Sequence, residues 1–157
     1  MKIKFLLIGK TDSDILSKGV NDYIKRLKHY IPFEMSIIPD LKNTKNLSEG
    51  QQKQKEGELI LNFIKSGDFV VLLDEKGKEY TSIDFSGFIE KQMISGLKNL
   101  IFIIGGPYGF SEEVYKKCNS KISLSRMTFS HQMVRLIFTE QLYRAMTIIK
   151  GEPYHHR

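Results

Sequence analysis

Apolar positions along the chain alternate between short continuous runs and longer stretches with helical spacing. Lys2–Ile8 is an apolar run closed by Gly9, the pattern of a strand. Residues 12–30 set Ile15, Leu16, Val20, Tyr23, Ile24 and Leu27 on a 3.6-residue stripe behind Asp and Ser capping candidates, and Pro32 stops that helix. Phe33–Ile38 reads as a second strand closed by Pro39. Residues 41–50 are polar and predict a mobile loop. A helix follows from Gln51 with Leu59, Ile60, Phe63 and Ile64 on its apolar side, and Gly67-Asp68 turns the chain into the buried run 69–73.

The second half repeats the alternation. Residues 74–78 read as a polar turn, and Thr81 or Ser82 caps a helix through Met93 with Ile83, Phe85, Phe88, Ile89 and Met93 inward. Residues 100–104 are apolar throughout, as expected of a parallel strand with helices on both faces. A Gly-Gly-Pro-Tyr-Gly turn ends it. A short helix over 111–117 and a short strand over 121–125 lead to the longest helix, 130–150, closed by Gly151. Its main stripe is Val134, Phe138, Leu142, Ala145 and Ile149. A second stripe of Met133, Ile137, Tyr143 and Met146 suggests that one side is buried in a partner subunit. Alternating strands and helices predict an α/β fold, a mostly parallel sheet flanked by helices.

At 157 residues the chain reads as a single domain, 1–157, with a core large enough to need no disulfide or metal staple. Its 41% hydrophobic and 27% charged composition excludes collagen-like and disordered classes. The longest apolar runs fall far short of the roughly 18 residues of a membrane helix, and the N-terminus reads as a strand and not as a signal peptide. One cysteine, Cys118, fits a reducing cytoplasm. The net charge of +6 is uneven. Residues 121–157 carry six Lys and Arg against two acids, a distribution that suits a polyanion as well as a solvated helix face.

Chemistry concentrates where strands end, since open parallel sheets bind ligands beyond their carboxyl edges. Glycines at 105 and 106 allow close backbone approach there. The dinucleotide and P-loop fingerprints are absent, as are Gly-x-Ser-x-Gly and any metal-ligand spacing. The block from Leu124 to Arg135 joins a strand to the long helix, offering free backbone groups to a flat polar ring, with Met127 and Phe129 as apolar walls.

Five ordered motifs carry a resemblance over the whole chain: Leu-Leu-Asp-Glu-Lys-Gly-Lys (72–78), Ile-Ile-Gly-Gly-Pro-Tyr-Gly (103–109), Leu-Ser-Arg-Met-Thr-Phe-Ser-His-Gln-Met-Val-Arg (124–135), Glu-Gln-Leu-Tyr-Arg-Ala (140–145) and Pro-Tyr-His-His-Arg (153–157). The set resembles the RlmH family. These are bacterial SPOUT-class methyltransferases that act on N3 of a pseudouridine in the 23S ribosomal RNA of the assembled ribosome. The resemblance implies a SPOUT-type fold with a C-terminal trefoil knot, a homodimer, and S-adenosyl-L-methionine bent within the knot loops. It implies a cofactor pocket lined by Leu73, Gly105, Leu124, Ser125, Arg126, Met127, Thr128 and Phe129. Under the same resemblance His155 or His156 supplies a base and Arg144 or Arg135 stabilises the developing imide anion. Tyr154, His131 and Arg157 then contact the substrate, with no metal and no membrane involved. Two other readings stay open. A non-catalytic ribosome-associated factor of the same fold is disfavoured by the intact Gly105 and Gly106. A tRNA methyltransferase is disfavoured by the Leu-Tyr-Arg-Ala and Tyr-His ends.

Overall fold

The computed structural model describes residues 1–156, so Arg157 lies outside the described residues. In chain order the elements are β1 (Lys2–Ile8), α1 (Asp14–Leu27), β2 (Phe33–Ile38), α2 (Glu49–Phe63), β3 (Phe69–Glu79), α3 (Ser82–Ile94), β4 (Asn99–Ile104), α4 (Glu112–Lys117), β5 (Ser120–Ser123) and α5 (His131–Ile149). The strands form one sheet in the order β2-β1-β4-β3-β5, and every pairing is parallel. All five carboxyl ends therefore lie along one edge.

Side-chain alternation divides the sheet residues between two cores. Ile3, Phe5, Leu7, Val71, Leu100 and Phe102 pack with residues of α1, α3 and α5. Leu6, Ile8, Val70, Leu72, Ile101 and Ile103 pack with Ile60 of α2 and Val114 of α4. Cover on both faces is why the strands read as unbroken apolar runs. Phe138 of α5 is fully buried against Phe5, Phe85 and Phe102, and a side chain so placed contributes about 1.5–3 kcal/mol. Side chains cap all five helix starts. Ser13, Thr81, Ser111 and Ser130 accept from the third backbone N–H beyond them, and Ser48 forms a reciprocal capping box with Gln51.

Several expectations are corrected. The polar segment 74–78 is not a plain turn, because β3 continues to Glu79. Its pairing with β5 breaks after Leu73 and resumes at Lys78↔Ile122 and Glu79↔Ser123, leaving 74–77 as a bulge. Within it the Lys76 N–H bonds to Asp74 Oδ1 at 2.8 Å, a local turn that bends the strand without ending it. The predicted loop over 41–50 contains a 3-10 turn at Thr44–Asn46, and its last residues already belong to α2. Ile15 and Ile83 point outward, Ile15 with 83% of its surface exposed. The second stripe of α5 is largely satisfied within the chain. Met146 is buried in the core, and Tyr143 packs on Tyr23 and Tyr154. α5 lies between α1 and α3, approaching α1 closely at Gly19, where a Cβ would come within 2.8 Å of Leu136. Among the described residues no helix is long and apolar enough to cross a membrane.

Candidate functional site

Beyond the carboxyl ends of β3, β4 and β5 lies a cavity of about 460 Å³. Three segments build it: the β3 bulge from Leu73, the glycine turn 105–109 after β4, and the segment from Ser123 to the start of α5. Leu73, Ile104, Leu124, Met127, Phe129 and Val134 give apolar walls. Among the described residues no backbone–backbone hydrogen bond involves 125–129. The Met127 N–H is taken by Ser125 Oγ at 2.9 Å, and Ser125 C=O accepts from Ser123 Oγ at 3.0 Å. The other peptide groups of that segment remain free for a ligand's polar edge.

Of the residues expected to hold the cofactor, Leu73, Gly105, Leu124, Ser125, Met127, Thr128 and Phe129 line this cavity, and His131 stands at its border. Arg126 does not line it. Its guanidinium turns outward, 89% exposed, and bonds Glu79 at 2.9 Å. Burial first, then the charge of Arg135, push the His131 imidazole below its ordinary value, which keeps it neutral near pH 7.

One residue behind the cavity escaped the sequence reading. Glu56 of α2 is only 4% exposed and lies against Gly106, where a Cβ would come within 2.0 Å of its Oε2. Among the described residues its carboxylate accepts one hydrogen bond, from Gln52 Nε2 at 2.9 Å. Burial raises its carboxyl above the usual range, opposed by the Gln52 bond and aided by the charge of Asp40. The next residue, Gly57, abuts the Ser111 cap of α4. Glu56 and Gly57 thus brace both ends of the segment that carries the glycine turn. In the sequence Glu56 sits among Gln and Lys and looks like a solvated position.

Arg135 is placed elsewhere than a substrate-facing role requires. It is 1% exposed, with Nη2 donating to the Ile8 carbonyl at 2.8 Å and Nη1 to Thr11 Oγ1 at 3.1 Å. Gln132 ties the same loop through Asp12 N–H and Lys10 C=O. These bonds fasten the segment after β1 to α5, and desolvation lowers the guanidinium's pKa.

The tail residues gather at the far end of α5. Arg144 bonds Glu140 through Nε at 3.0 Å, its Nη1 is 3.3 Å from His155 Nδ1, and its guanidinium lies 4.7 Å from the Tyr154 ring centre. Tyr154 donates to Glu140 at 3.1 Å, and its hydroxyl is 3.4 Å from that of Tyr23. Burial, with these contacts, pushes the Tyr154 phenol well up. Arg144, Tyr154 and His155 are therefore brought together, while His156 is exposed outside the cluster. From His131 to Arg144 is about 20 Å along the helix at 1.5 Å per residue, so the cluster and the cavity of one chain are separate. Among the described residues no three His, Cys, Asp or Glu stand together as a metal site would require.

A parallel α/β sheet with a glycine-rimmed cavity beyond its strand ends defines the class of open parallel α/β proteins, whose ligand sites lie at that edge. Within that class, the family model described as predicted SPOUT methyltransferase matches residues 1–155, and the chain belongs to the SPOUT methyltransferase family. It is 68% identical over 157 residues to a Ribosomal RNA large subunit methyltransferase H of Christiangramia forsetii, with all of both chains covered. It is 64% identical over 156 residues to that of Parabacteroides distasonis, with 99% of each covered. Among solved structures, a probable methylase family protein of Haemophilus influenzae matches with a TM-score of 0.53 at 13% identity, over 95% of this chain and 66% of that one. At that identity the likeness speaks for the fold alone.

Proposed function

We propose that the protein methylates N3 of a pseudouridine in 23S ribosomal RNA, acting in the cytoplasm on the assembled ribosome with S-adenosyl-L-methionine as donor. The chain acts as one domain of residues 1–157, with its C-terminal segment knotted. The observation that carries the reading is the cavity at the ends of β3, β4 and β5, in a chain that shares most of its residues with proteins named as large-subunit rRNA methyltransferases. The residues present fit an adenosyl ligand. About 460 Å³ falls within the usual range for small-molecule sites, apolar walls suit a purine, and the free peptide groups of 125–129 suit its polar edge.

The bound donor supplies an electrophilic methyl group on a sulfonium. The protein's part is alignment, since in-line displacement depends on holding donor and acceptor nitrogen together. Phe129 and Met127 would hold the adenosyl group, and His131, its imidazole pKa lowered, would add no charge to repel the donor. The acceptor N3–H must leave its base pair and lose a proton. His155 is the base and Arg144 holds the resulting anion, with Tyr154 as the stacking surface.

The separation of about 20 Å along α5 means that one chain cannot supply both halves to one substrate. The working unit is a homodimer in which the tail of one protomer faces the cavity of its partner. Ile15 and Met133, both exposed near the starts of α1 and α5, supply apolar surface for that contact. With +6 net charge the protein is only modestly basic, so it recognises ribosome shape more than naked RNA. The test is labelled methyl transfer to ribosomes lacking this modification, beside protein-free rRNA. Transfer to ribosomes alone is expected, and equal transfer to free rRNA would refute the shape argument. Mixing a His155→Ala chain with a Leu73→Arg chain should restore activity that neither has alone; no restoration would refute the shared site.

A further inference from the structure

The cavity contains an acidic group that the methyl-transfer chemistry above does not use. Asp74 follows Leu73 where β3 leaves its ladder, and it lines the cavity. Its Oδ1 accepts from the Lys76 N–H at 2.8 Å, and its Oδ2 accepts from the Tyr115 hydroxyl. Both donors are neutral. The ion pairs among the described residues, Lys2–Glu34, Arg126–Glu79 and Arg144–Glu140, leave Asp74 out. Asp74 is thus fixed in place by neutral donors and makes no ion pair among the described residues.

Tyr115 is itself well held. Its ring packs edge-on to Phe110 at 5.8 Å, and the Lys121 ammonium lies 5.4 Å from its centre. Burial first, then the bond to Asp74, push its phenol well above the ordinary value, so it stays a donor at any working pH. The other charged groups lining the cavity are Glu75 and Lys76, with His131 neutral. The lining therefore carries one net negative charge in a chain of net charge +6.

We propose that Asp74, held by Tyr115 and the Lys76 amide, is a specificity-determining residue that makes the cavity prefer the cationic methyl donor to its neutral demethylated product. The proposal rests on reading the cavity as the donor site. When the methyl carbon leaves sulfur, the bonding pair stays behind as a lone pair and the sulfonium becomes an uncharged thioether. The two ligands then differ by one positive charge and one methyl group. A fixed negative charge favours the first and lets the second go, so the same residue serves capture and release. One unit charge acting over about 12 Å at an effective dielectric constant of about 20 changes affinity about tenfold.

Calorimetric titration of the whole protein with S-adenosylmethionine and, separately, S-adenosylhomocysteine tests this, with thermal melts as the folding control. Asp74→Asn is expected to weaken the donor about tenfold and the product less than about threefold. Tyr115→Phe keeps the charge and should keep most of the preference. In the unaltered protein the donor-to-product affinity ratio should fall as salt rises from about 0.05 to 0.5 M, because screening acts on the charged ligand. Equal weakening of both ligands by Asp74→Asn, or a ratio indifferent to salt, would overturn the proposal while leaving the donor site intact. Failure of the unaltered protein to bind either ligand would instead overturn the donor reading, and this proposal with it.

Discussion

At Gly77, just past the cavity-lining part of β3, the strand lies against the backbone of β5, and alanine there should damage both fold and site. A Cβ on Gly77 would lie 2.6 Å from the backbone N and C of Ile122, where 3.4 Å begins ordinary contact. Backbone cannot rotate aside as a side-chain tip does, so β3 and β5 must part by about 0.8 Å. The pairs Lys78↔Ile122 and Glu79↔Ser123 sit at that point. Losing about two ladder bonds costs roughly 1 kcal/mol each, and overpacking strain brings the total to about 2–4 kcal/mol. For a chain of this size each kcal/mol moves Tm by about 2–4 °C, so Gly77→Ala should melt roughly 4–16 °C lower. The donor should bind more weakly, because the bulge and β5 form two walls of the cavity. Gly87, in the middle of α3 with nothing within 4 Å of a Cβ, is the matched control. There the same substitution removes only glycine's entropic cost and should stabilise by about 0.5–1 kcal/mol. Scanning calorimetry reads both. A Gly77→Ala protein as stable as Gly87→Ala would refute the close approach of β3 and β5.

Three further outcomes are expected. Because burial raises the Glu56 carboxyl, the folded state holds that proton more tightly than the unfolded chain, so the group's stabilising contribution is present at low pH and lost as pH rises through the raised value. Glu56→Gln should therefore be at least as stable as the parent near pH 8 and lose that advantage near pH 4, read from melting curves; a parent more stable at pH 8 would contradict the burial argument. Arg135→Met should leave the Ile8 carbonyl without its buried donor and lower stability by about 1–3 kcal/mol in denaturant titration; full stability with lost transfer would return Arg135 to the chemistry. His155→Ala should lower methyl transfer by about 10²–10⁴-fold with unchanged donor affinity in calorimetry, whereas His156→Ala should keep most activity; the reverse ranking would exchange their roles.

Much of the fold was legible because burial on two faces leaves an unmistakable trace. The runs 69–73 and 100–104 are apolar at every position, and the structure pairs them in register as central parallel strands. The cavity rim was legible through glycine and through the junction 124–130, whose small and polar residues suit exposed backbone. What stayed hidden depends on partners distant in sequence. Glu56 is buried only because Gly106 has no side chain, and Arg135 is a tie only because the β1 loop passes beside α5. The Glu140–Arg144 pair lies within one helix, but the Tyr154 bonded to it is met by Tyr23 from another helix, a contact the sequence does not display. The polar segment 74–78 looked like a turn since polar residues mark exposure, and a bulged strand end is exposed too.

The most direct measurement is the identity of the labelled nucleoside after the protein has transferred radiolabelled methyl groups from S-adenosyl-L-methionine to intact ribosomes lacking the modification. Complete digestion and mass spectrometry should find the label on N3-methylpseudouridine from the large-subunit RNA. Label on any other nucleoside, or donor binding with no label transferred to ribosomes, would contradict the account.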